Sequence, residues 1–203
     1  MHLASMAPRS IGPLPPPPAS LQHQDLPILS FRATLFRIHR TDRDPAFWGK
    51  TGDNRFDAPG AEFGVLYAAA DQHGAFIETS GGPLDRTITS SFLGARGWAR
   101  VEPVRDLRLV DLSGPGLAQI GADERLCAGE HNVAQQWSLA LWEHPAAVDG
   151  IHHRARQDPA RISVALFDRA APAVTVVRDG GLLDDSHKTL LAGILETYQF
   201  SLL

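Results

Sequence analysis

Short apolar runs and alternating stretches predict strands at five places along the chain. An apolar run of a few residues between turn formers is typical of a buried strand, and strict apolar–polar alternation is typical of a half-buried one. The run "GVLYAA" shows the first pattern and "LRLVDL" shows the second. The predicted strands are Ala33–Ile38, Gly64–Ala69, Leu107–Leu112, Ile162–Phe167 and Ala173–Val177.

Helical periodicity predicts three helices between or after these strands. Asp71 is a favourable N-cap for a helix that runs to about Thr79. Over Asn132–His144, apolar residues recur every three or four positions until Pro145 ends the pattern. Asp184–Ser186 cap a last helix. Strands and helices do not alternate regularly enough for a doubly wound sheet, so we predict an α+β fold whose mixed or largely antiparallel sheet has flanking helices.

The first part of the chain differs in composition from the rest. Five prolines fall between positions 13 and 18, and such a run favours an extended, solvated conformation. We therefore predict a disordered tail over residues 1–28 and a single domain over residues 29–203. On this interpretation, deleting residues 1–26 leaves the stability unchanged. Docking of the tail in an aromatic groove of a partner is the alternative.

Composition and charge narrow the class of protein. Hydrophobic residues make up 43% and charged residues 21% of the 203 residues, as in an ordinary globular domain. The formal net charge of −4 argues against direct binding to nucleic acid. An apolar run of about 18 residues is absent and the N-terminus lacks the apolar core of a signal peptide. We expect no membrane span and a cytoplasmic location.

Several familiar catalytic and binding motifs do not occur in the sequence. It has neither of the common glycine-rich phosphate loops, no G-x-S-x-G elbow and no zinc signature. His152 and His153 are adjacent, so on a strand they point to opposite faces and chelate poorly. We therefore predict no metal site. Cys127 is the single cysteine and lies in no nucleophile motif, which favours a small buried hydrophobe.

Four side chains stand out as candidates for chemistry. Arg37 and Tyr67 lie in otherwise apolar strands, Arg55 lies in the turn-rich "GDNRFD", and Glu78 lies beside apolar neighbours on the short helix. Each has a structural alternative. Arg37 could lie on a solvated edge, and Arg55 could pair with Asp57 in its loop. Tyr67 could be a core residue with a satisfied hydroxyl, and Glu78 could face water. Spacing alone does not decide between the functional and the structural interpretation of these side chains.

The order and spacing of several blocks resemble those of RES-domain proteins. The resemblance covers about residues 31–180, and the block from Arg55 to Glu78 is its most specific part. The blocks are "LFRIHR", "GDNRFDAPGAEFGVLYAAADQHGAFIET", "LRLVDLSGPGL" and "QQWSLALWEHPAAVDGIHHRARQDPARISVALFDR".

This resemblance implies a fold similar to ADP-ribosyltransferases and a bacterial enzyme that consumes NAD⁺. It implies cleavage of the nicotinamide–ribose bond by phosphorolysis or hydrolysis, and a toxin paired with an Xre-type antitoxin. Matching the blocks assigns the family's arginines to Arg37 and Arg55, its tyrosine to Tyr67 and its glutamate to Glu78. Arg55, Tyr67 and Glu78 are then the expected catalytic residues, and Arg37, Arg55, Tyr67 and Gln135 the expected NAD⁺-binding residues. No metal is required.

The residue types suit this chemistry. Arginine's planar fork binds phosphate oxygens in pairs, as the pyrophosphate of NAD⁺ needs. A carboxylate such as that of Glu78 stabilises the positive charge that develops on the ribose as nicotinamide departs. Tyr67 can stack on the nicotinamide or the ribose.

The sequence departs from the family pattern at two positions. Ile38 stands where many members have a tyrosine after the first arginine. The family's serine has no clear counterpart: Ala155 stands where related chains often carry it, and Asn132, Gln135 and Ser138 are the polar positions on the preceding helix. Two alternatives therefore stay open, ADP-ribosyl transfer to a protein and an inactive RES-fold binding protein. The oligomeric state, a homodimer included, also stays open.

Overall fold

A computed structural model describes residues 12–82 and 86–203 of the chain. Within these residues, eight strands form one sheet in the order β1-β6-β7-β8-β3-β2-β5-β9, and two short strands form a second sheet. The strands are β1 Ile28–Phe31, β2 Leu35–Arg40, β3 Val65–Ala69, β4 Thr87–Ile88, β5 Arg96–Pro103, β6 Leu107–Asp111, β7 Gly150–Arg154, β8 Ile162–Phe167, β9 Val174–Gly181 and β10 Ser201–Leu202. The α-helices are α1 Gln72–Ser80, α2 Ser90–Gly94, α3 Gly116–Gln119, α4 Arg125–Ala128, α5 His131–Trp142 and α6 Lys188–Thr197.

The main sheet is largely antiparallel, which confirms the predicted α+β fold. Among its described strand pairs, only β6 and β7 run parallel, and β3 lies between β8 and β2. Side chains on β3 alternate between two faces: Val65 packs with the cluster around α5, and Leu66 packs inside the curled sheet with residues of β2, β5 and β6. At the end of β3, Ala69 joins a third cluster that includes Phe76 of α1 and Ile194 of α6.

The strongest local patterns predict the elements correctly. The strand Ile162–Phe167 agrees with β8, and Asp71 caps α1 by accepting a hydrogen bond from the Gly74 N–H at 2.8 Å.

The strand β5 was missed, although it pairs with β2 on one side and β9 on the other. Its sequence "RGWARVEP" mixes arginine, glycine and proline with the buried Trp98 and Val101, so no apolar run or regular alternation marks it.

The segment before β1 corrects the prediction of a disordered tail over residues 1–28. Residues 1–11 lie outside the described residues, but residues 12–28 pack on the domain. Leu14 and Leu21 are buried in the cluster around α5, and a 3₁₀ helix spans Ala19–His23. The indole N–H of Trp137 donates to the Pro15 carbonyl at 3.0 Å. The segment therefore packs against α5, because burial of Leu14 and Leu21 removes apolar area from water.

None of the helices in residues 12–82 and 86–203 is long and apolar enough to cross a membrane.

Candidate active site

A cavity of about 440 Å³ opens beside α1 over the middle of the main sheet. Its size is within the range of small-molecule sites, about 300–1,000 Å³. Four of the five site residues expected from sequence line it: Arg37, Arg55, Tyr67 and Glu78. The fifth, Gln135, does not. The other lining residues come from β2, β3, α1, α4, α5, β7, β8 and the loops between elements: Phe36, Ile38, Asn54, Phe56, Ala68, Ala69, Ala75, Thr79, Cys127, His131, His153, Arg156, Gln157 and Ser163.

Arg37 lies on β2 and lines the cavity. One of its terminal N–H groups donates to the Phe47 carbonyl at 3.4 Å, while its Nε is buried and has no partner. Burial lowers the pKa of this guanidinium to about 10, which still leaves it cationic at neutral pH. The partly buried position in β2 rules out the solvated-edge alternative. A buried cation with an unused donor needs an anion or an acceptor to complete its surroundings.

Arg55 lines the cavity from the loop between β2 and β3. It is 8% exposed. Its Nη1 donates to the Gly129 carbonyl at 2.6 Å, and its Nη2 is buried without a partner. Burial, then the charge of Arg156, lowers its pKa. The alternative of an ion pair with Asp57 is wrong, because within the described residues Asp57 bonds to other groups of the loop and to Tyr67.

Tyr67 fixes the Arg55 loop through its hydroxyl. The hydroxyl accepts from the Phe56 N–H and donates to the Asp57 carboxylate, both at 3.0 Å. Burial, reinforced by the Asp57 charge, raises the pKa of the phenol well above its usual value. The hydroxyl is therefore a neutral positioning group, and the ring of Tyr67 is what remains for contact with a ligand.

Glu78 supplies the carboxylate at the mouth of the cavity. It is exposed on α1, and its Oε1 accepts a hydrogen bond from the Gln157 backbone N–H at 2.9 Å. This contact ties the carboxylate to the loop that follows β7 and orients it without neutralising it. Within the described residues, three arginines and this one carboxylate line the cavity, and the charge of Glu78 acts on Arg55.

Gln135 corrects the expected set of ligand-binding residues. Its side-chain amide donates to the Gly52 and Asn54 carbonyls at 2.7 and 3.0 Å. Ser138, one turn further along α5, is fully buried and donates to the Phe56 carbonyl at 2.7 Å. Both residues therefore hold the Arg55 loop on α5, because a loop backbone that leaves the sheet needs side-chain partners for its carbonyls.

Sequence reasoning missed Arg156, the third arginine of the cavity. It is exposed in the loop after β7 and is close enough to Arg55 to lower the pKa of that residue. Arg156 and Cys127 also line a second cavity of about 220 Å³ that adjoins the first. The only local sign was an arginine in the polar run "RARQ", which is equally typical of a solvated loop.

Sequence reasoning also missed two polar residues on the floor. His153 on β7 and Ser163 on β8 are direct cross-strand partners, and each is 6% exposed. The His153 Nε2 and Ser163 Oγ atoms are buried without a hydrogen-bond partner. Burial lowers the pKa of His153 to about 4. In the sequence, His153 stands out only as one of two adjacent histidines. Its position opposite Ser163 depends on the register of β7 with β8, which arises only in the folded sheet.

The buried, neutral His153 is expected to make the protein lose stability as the pH falls from about 6.5 to about 4. The unfolded chain binds a proton near pH 6.5, whereas the folded chain binds one only near pH 4, so acid favours unfolding across that window. His39, whose pKa burial also lowers, adds to the same slope. Replacing His153 with Phe should reduce the dependence of the stability on pH in this window.

Chemical denaturation at a series of pH values between 4 and 7.5 would measure this slope for the wild type and for His153→Phe. His23→Phe, an exchange at a histidine outside the cavity, is the control. Equal slopes for the wild type and His153→Phe would show that His153 does not stay neutral in the folded protein.

Two further residues behave as structural groups. Burial raises the pKa of the Cys127 thiol to about 12, so it stays protonated at neutral pH, in agreement with a small buried hydrophobe. His152 contacts the Asp111 carboxylate through Nδ1 at 3.0 Å. In the part of the chain that the structure describes, no group of three or more His, Cys, Asp or Glu residues converges as metal ligands do.

Comparison with known proteins places this site in a family. The family model of the RES domain matches residues 34–187, which is more than half of the chain and includes every residue that lines the cavity. The chain belongs to the RES-domain family. The resemblance of its sequence blocks to RES-domain proteins is thereby confirmed.

Two known proteins are similar to this chain, one in sequence and one in fold. The chain is 38% identical over 87 residues to "Probable toxin y4kH" of Sinorhizobium fredii (strain NBRC 101917 / NGR234), over 42% of this chain and 68% of that protein. Its fold is similar to that of a chain in the crystal structure of the M. tuberculosis MbcT–MbcA toxin–antitoxin complex. That match has a TM-score of 0.60 at 17% identity and covers 81% of this chain and 92% of that chain.

The two departures from the RES pattern occupy different places. Ile38 lines the main cavity and is 8% exposed, so an apolar side chain stands where many members have a phenol. Ala155 is 1% exposed and lines the smaller cavity. The polar positions Asn132, Gln135 and Ser138 on α5 do not line the main cavity. Ser163 is the serine that does.

Proposed function

We propose that this RES-domain protein consumes NAD⁺ by breaking the bond between nicotinamide and ribose. The observation that carries the proposal is the grouping of three arginines and one carboxylate around a single cavity. An anion-binding side and an isolated carboxylate are the two features that NAD⁺ cleavage needs, because the substrate carries a pyrophosphate and reacts through a cationic ribose.

The arginines suit the pyrophosphate. Arg37 and Arg55 are cationic groups with buried, unpartnered N–H donors, and Arg156 adds charge at the junction of the two cavities. A phosphate group would accept from these donors in the paired geometry that a guanidinium offers. It would also offset the burial and the Arg156 charge that lower the pKa of Arg55.

Glu78 suits the reacting carbon. When the C1′–N bond breaks, the bonding electron pair leaves with nicotinamide, which becomes neutral, and positive charge develops on the ribose. The carboxylate of Glu78 stabilises that charge and can accept a hydrogen bond from a ribose hydroxyl. Water or phosphate then adds to C1′ and releases a proton. The protonated Cys127 thiol takes no part as a nucleophile.

A toxin role follows from the same chemistry. An enzyme that drains NAD⁺ acts on the cofactor pool of the cytoplasm, so a cell needs a means to restrain it. The relatives named above are a probable toxin and a chain of a toxin–antitoxin complex. We propose that an antitoxin of the Xre type restrains this protein by closing the cavity, where Arg37 and Arg55 offer a cationic target for a carboxylate-bearing segment.

Product analysis tests the proposed reaction. The purified chain is incubated with NAD⁺ with and without inorganic phosphate, and the products are separated by chromatography. Free nicotinamide is expected with phosphate present, and also without phosphate when water is the acceptor. ADP-ribose indicates water as the acceptor, ADP-ribose 1″-phosphate indicates phosphate, and labelled protein indicates ADP-ribosyl transfer. Intact NAD⁺ after prolonged incubation would refute the proposal and favour the inactive binding protein.

Arginine-to-lysine exchanges test the pyrophosphate assignment. Arg37→Lys and Arg55→Lys keep the charge but lose the paired donors, so each is expected to weaken NAD⁺ binding by about 10-fold or more. Arg32→Lys is the matched control, because Arg32 is exposed and pairs with Asp106 on the surface. Calorimetric titration with NAD⁺ measures the effect. Normal affinity in folded variants, with a lowered melting temperature, would make the two arginines structural.

A further inference from the structure

The floor of the cavity contains a row of residues from four neighbouring strands. His153 pairs with Ser163, Ser163 with Ala69, and Ala69 with Phe36 in the registers of β7, β8, β3 and β2. Directly opposite residues of antiparallel strands share a face, with Cβ atoms about 5 Å apart. All four residues line the cavity. The row therefore has an apolar half, Phe36 and Ala69, and a polar half, Ser163 and His153.

The hydrogen-bond character of the polar half is fixed by the backbone. The His153 Nδ1 lies 2.9 Å from the Arg154 carbonyl, and a carbonyl can only accept, so Nδ1 carries the proton and Nε2 offers a lone pair. The edge of the ring packs on Phe56 at a centroid distance of 4.9 Å, which holds its orientation. The Ser163 hydroxyl can donate. The pair thus offers one acceptor and one donor, neither of which has a partner among the described residues.

We propose that His153 and Ser163 recognise the carboxamide of the nicotinamide ring, an inference that rests on the proposed function. The carboxamide NH₂ donates to the His153 Nε2, and its carbonyl accepts from the Ser163 hydroxyl. The ring itself lies on the apolar half formed by Ala69 and Phe36. A flat ring whose carboxamide offers a donor and an acceptor on one edge matches the floor, whereas the ribose diol is polar on both of its edges and would leave the apolar half uncovered.

The same arrangement selects against the acid analogue of the ring. Nicotinate carries a carboxylate in place of the carboxamide, so the His153 lone pair would face a second lone pair and a negative charge. A lone pair that meets a carboxylate oxygen makes no hydrogen bond, and sites that bind a donor reject analogues that lack it. The preference for nicotinamide over nicotinate is expected to be about 100-fold.

Direct binding of the free bases tests the recognition without relying on turnover. Nicotinamide and nicotinate are each titrated into the wild type, Ser163→Ala, His153→Phe and the control Ser30→Ala, with affinities measured by NMR or calorimetry. Ser30 is a surface serine that bonds to Asp106. Ser163→Ala should weaken nicotinamide binding about 10-fold, and His153→Phe should remove most of the preference over nicotinate. The ¹⁵N signal of the His153 Nε2 should shift when nicotinamide binds to the wild type.

Thermal melting checks that each variant is folded. Ser163→Ala removes a hydroxyl that has no partner, so its melting temperature should equal or exceed that of the wild type, and it keeps the test valid where His153→Phe fails to fold. Equal binding of the two bases, no binding of either, or equal behaviour of Ser163→Ala and Ser30→Ala would overturn the inference. Selective nicotinamide binding without NAD⁺ consumption would instead refute the proposed reaction, and NAD⁺ consumption without selectivity would refute only the carboxamide site.

Discussion

Replacing Glu78 with glutamine is expected to lower NAD⁺ turnover by about 100-fold or more. The exchange keeps the size of the side chain, and the amide oxygen can still accept from the Gln157 N–H that holds Glu78 in place. What is lost is the negative charge beside the ribose, and loss of one preorganised electrostatic contact costs about 10²–10³ in rate. The affinity for NAD⁺ should change little, so the effect should appear in kcat rather than in KM.

The matched control is Glu196→Gln, an equivalent exchange at an exposed position on α6. Steady-state assay of nicotinamide release compares the two variants with the wild type. In bacteria, expression of the wild type alone should arrest growth and lower total NAD⁺, whereas Glu78→Gln should be tolerated. Full turnover in Glu78→Gln would exclude Glu78 as the catalytic carboxylate, and equal growth and NAD⁺ with wild type and variant would contradict the toxin role.

Deleting residues 1–26 is expected to destabilise the protein severely. The deletion removes Leu14 and Leu21 from the cluster around α5 and leaves the indole N–H of Trp137 without the Pro15 carbonyl. Truncation of one buried leucine to alanine costs about 2–5 kcal/mol, and whole domains are stable by only about 5–15 kcal/mol. The truncated chain should therefore unfold at a much lower denaturant concentration, or fail to accumulate as folded protein.

The single exchange Leu21→Ala tests the same contact in a chain of full length. It should lower the free energy of unfolding by about 2–5 kcal/mol, whereas Leu203→Ala, at a leucine that is 75% exposed, should have little effect. Urea denaturation followed by tryptophan fluorescence measures both. Equal stability of Leu21→Ala and the wild type would show that the segment before β1 contributes no packing.

The N-terminal segment and Gln135 show where local patterns mislead. A proline run is typical of disorder, and the pattern gives no sign that Leu14 and Leu21 find a groove on α5. Gln135 is a polar residue on a helix near the site, and its type does not say whether the amide meets a ligand or a loop carbonyl. In both cases the outcome depends on which surface the fold brings next to the side chain.

The sequence by itself determined the elements with strong local signals and the core of the candidate site. The strands β3 and β8 follow from apolar runs, and α1 from the Asp71 cap, because periodicity and capping act within a few residues. The grouping of Arg37, Arg55, Tyr67 and Glu78 was expected from the resemblance of the sequence blocks to RES-domain proteins, because local patterns left a structural alternative for each of the four. Only the tertiary structure decided the rest of the site.

Arg156 reaches the cavity through a loop, and His153 and Ser163 meet only through the register of β7 with β8. Within residues 12–82 and 86–203, the His153 Nε2 and Ser163 Oγ atoms lack partners because of how the surrounding residues pack, not because of what stands beside them in the chain. Register and burial arise from contacts between distant segments, so these residues could be identified as site residues only once the sheet had formed.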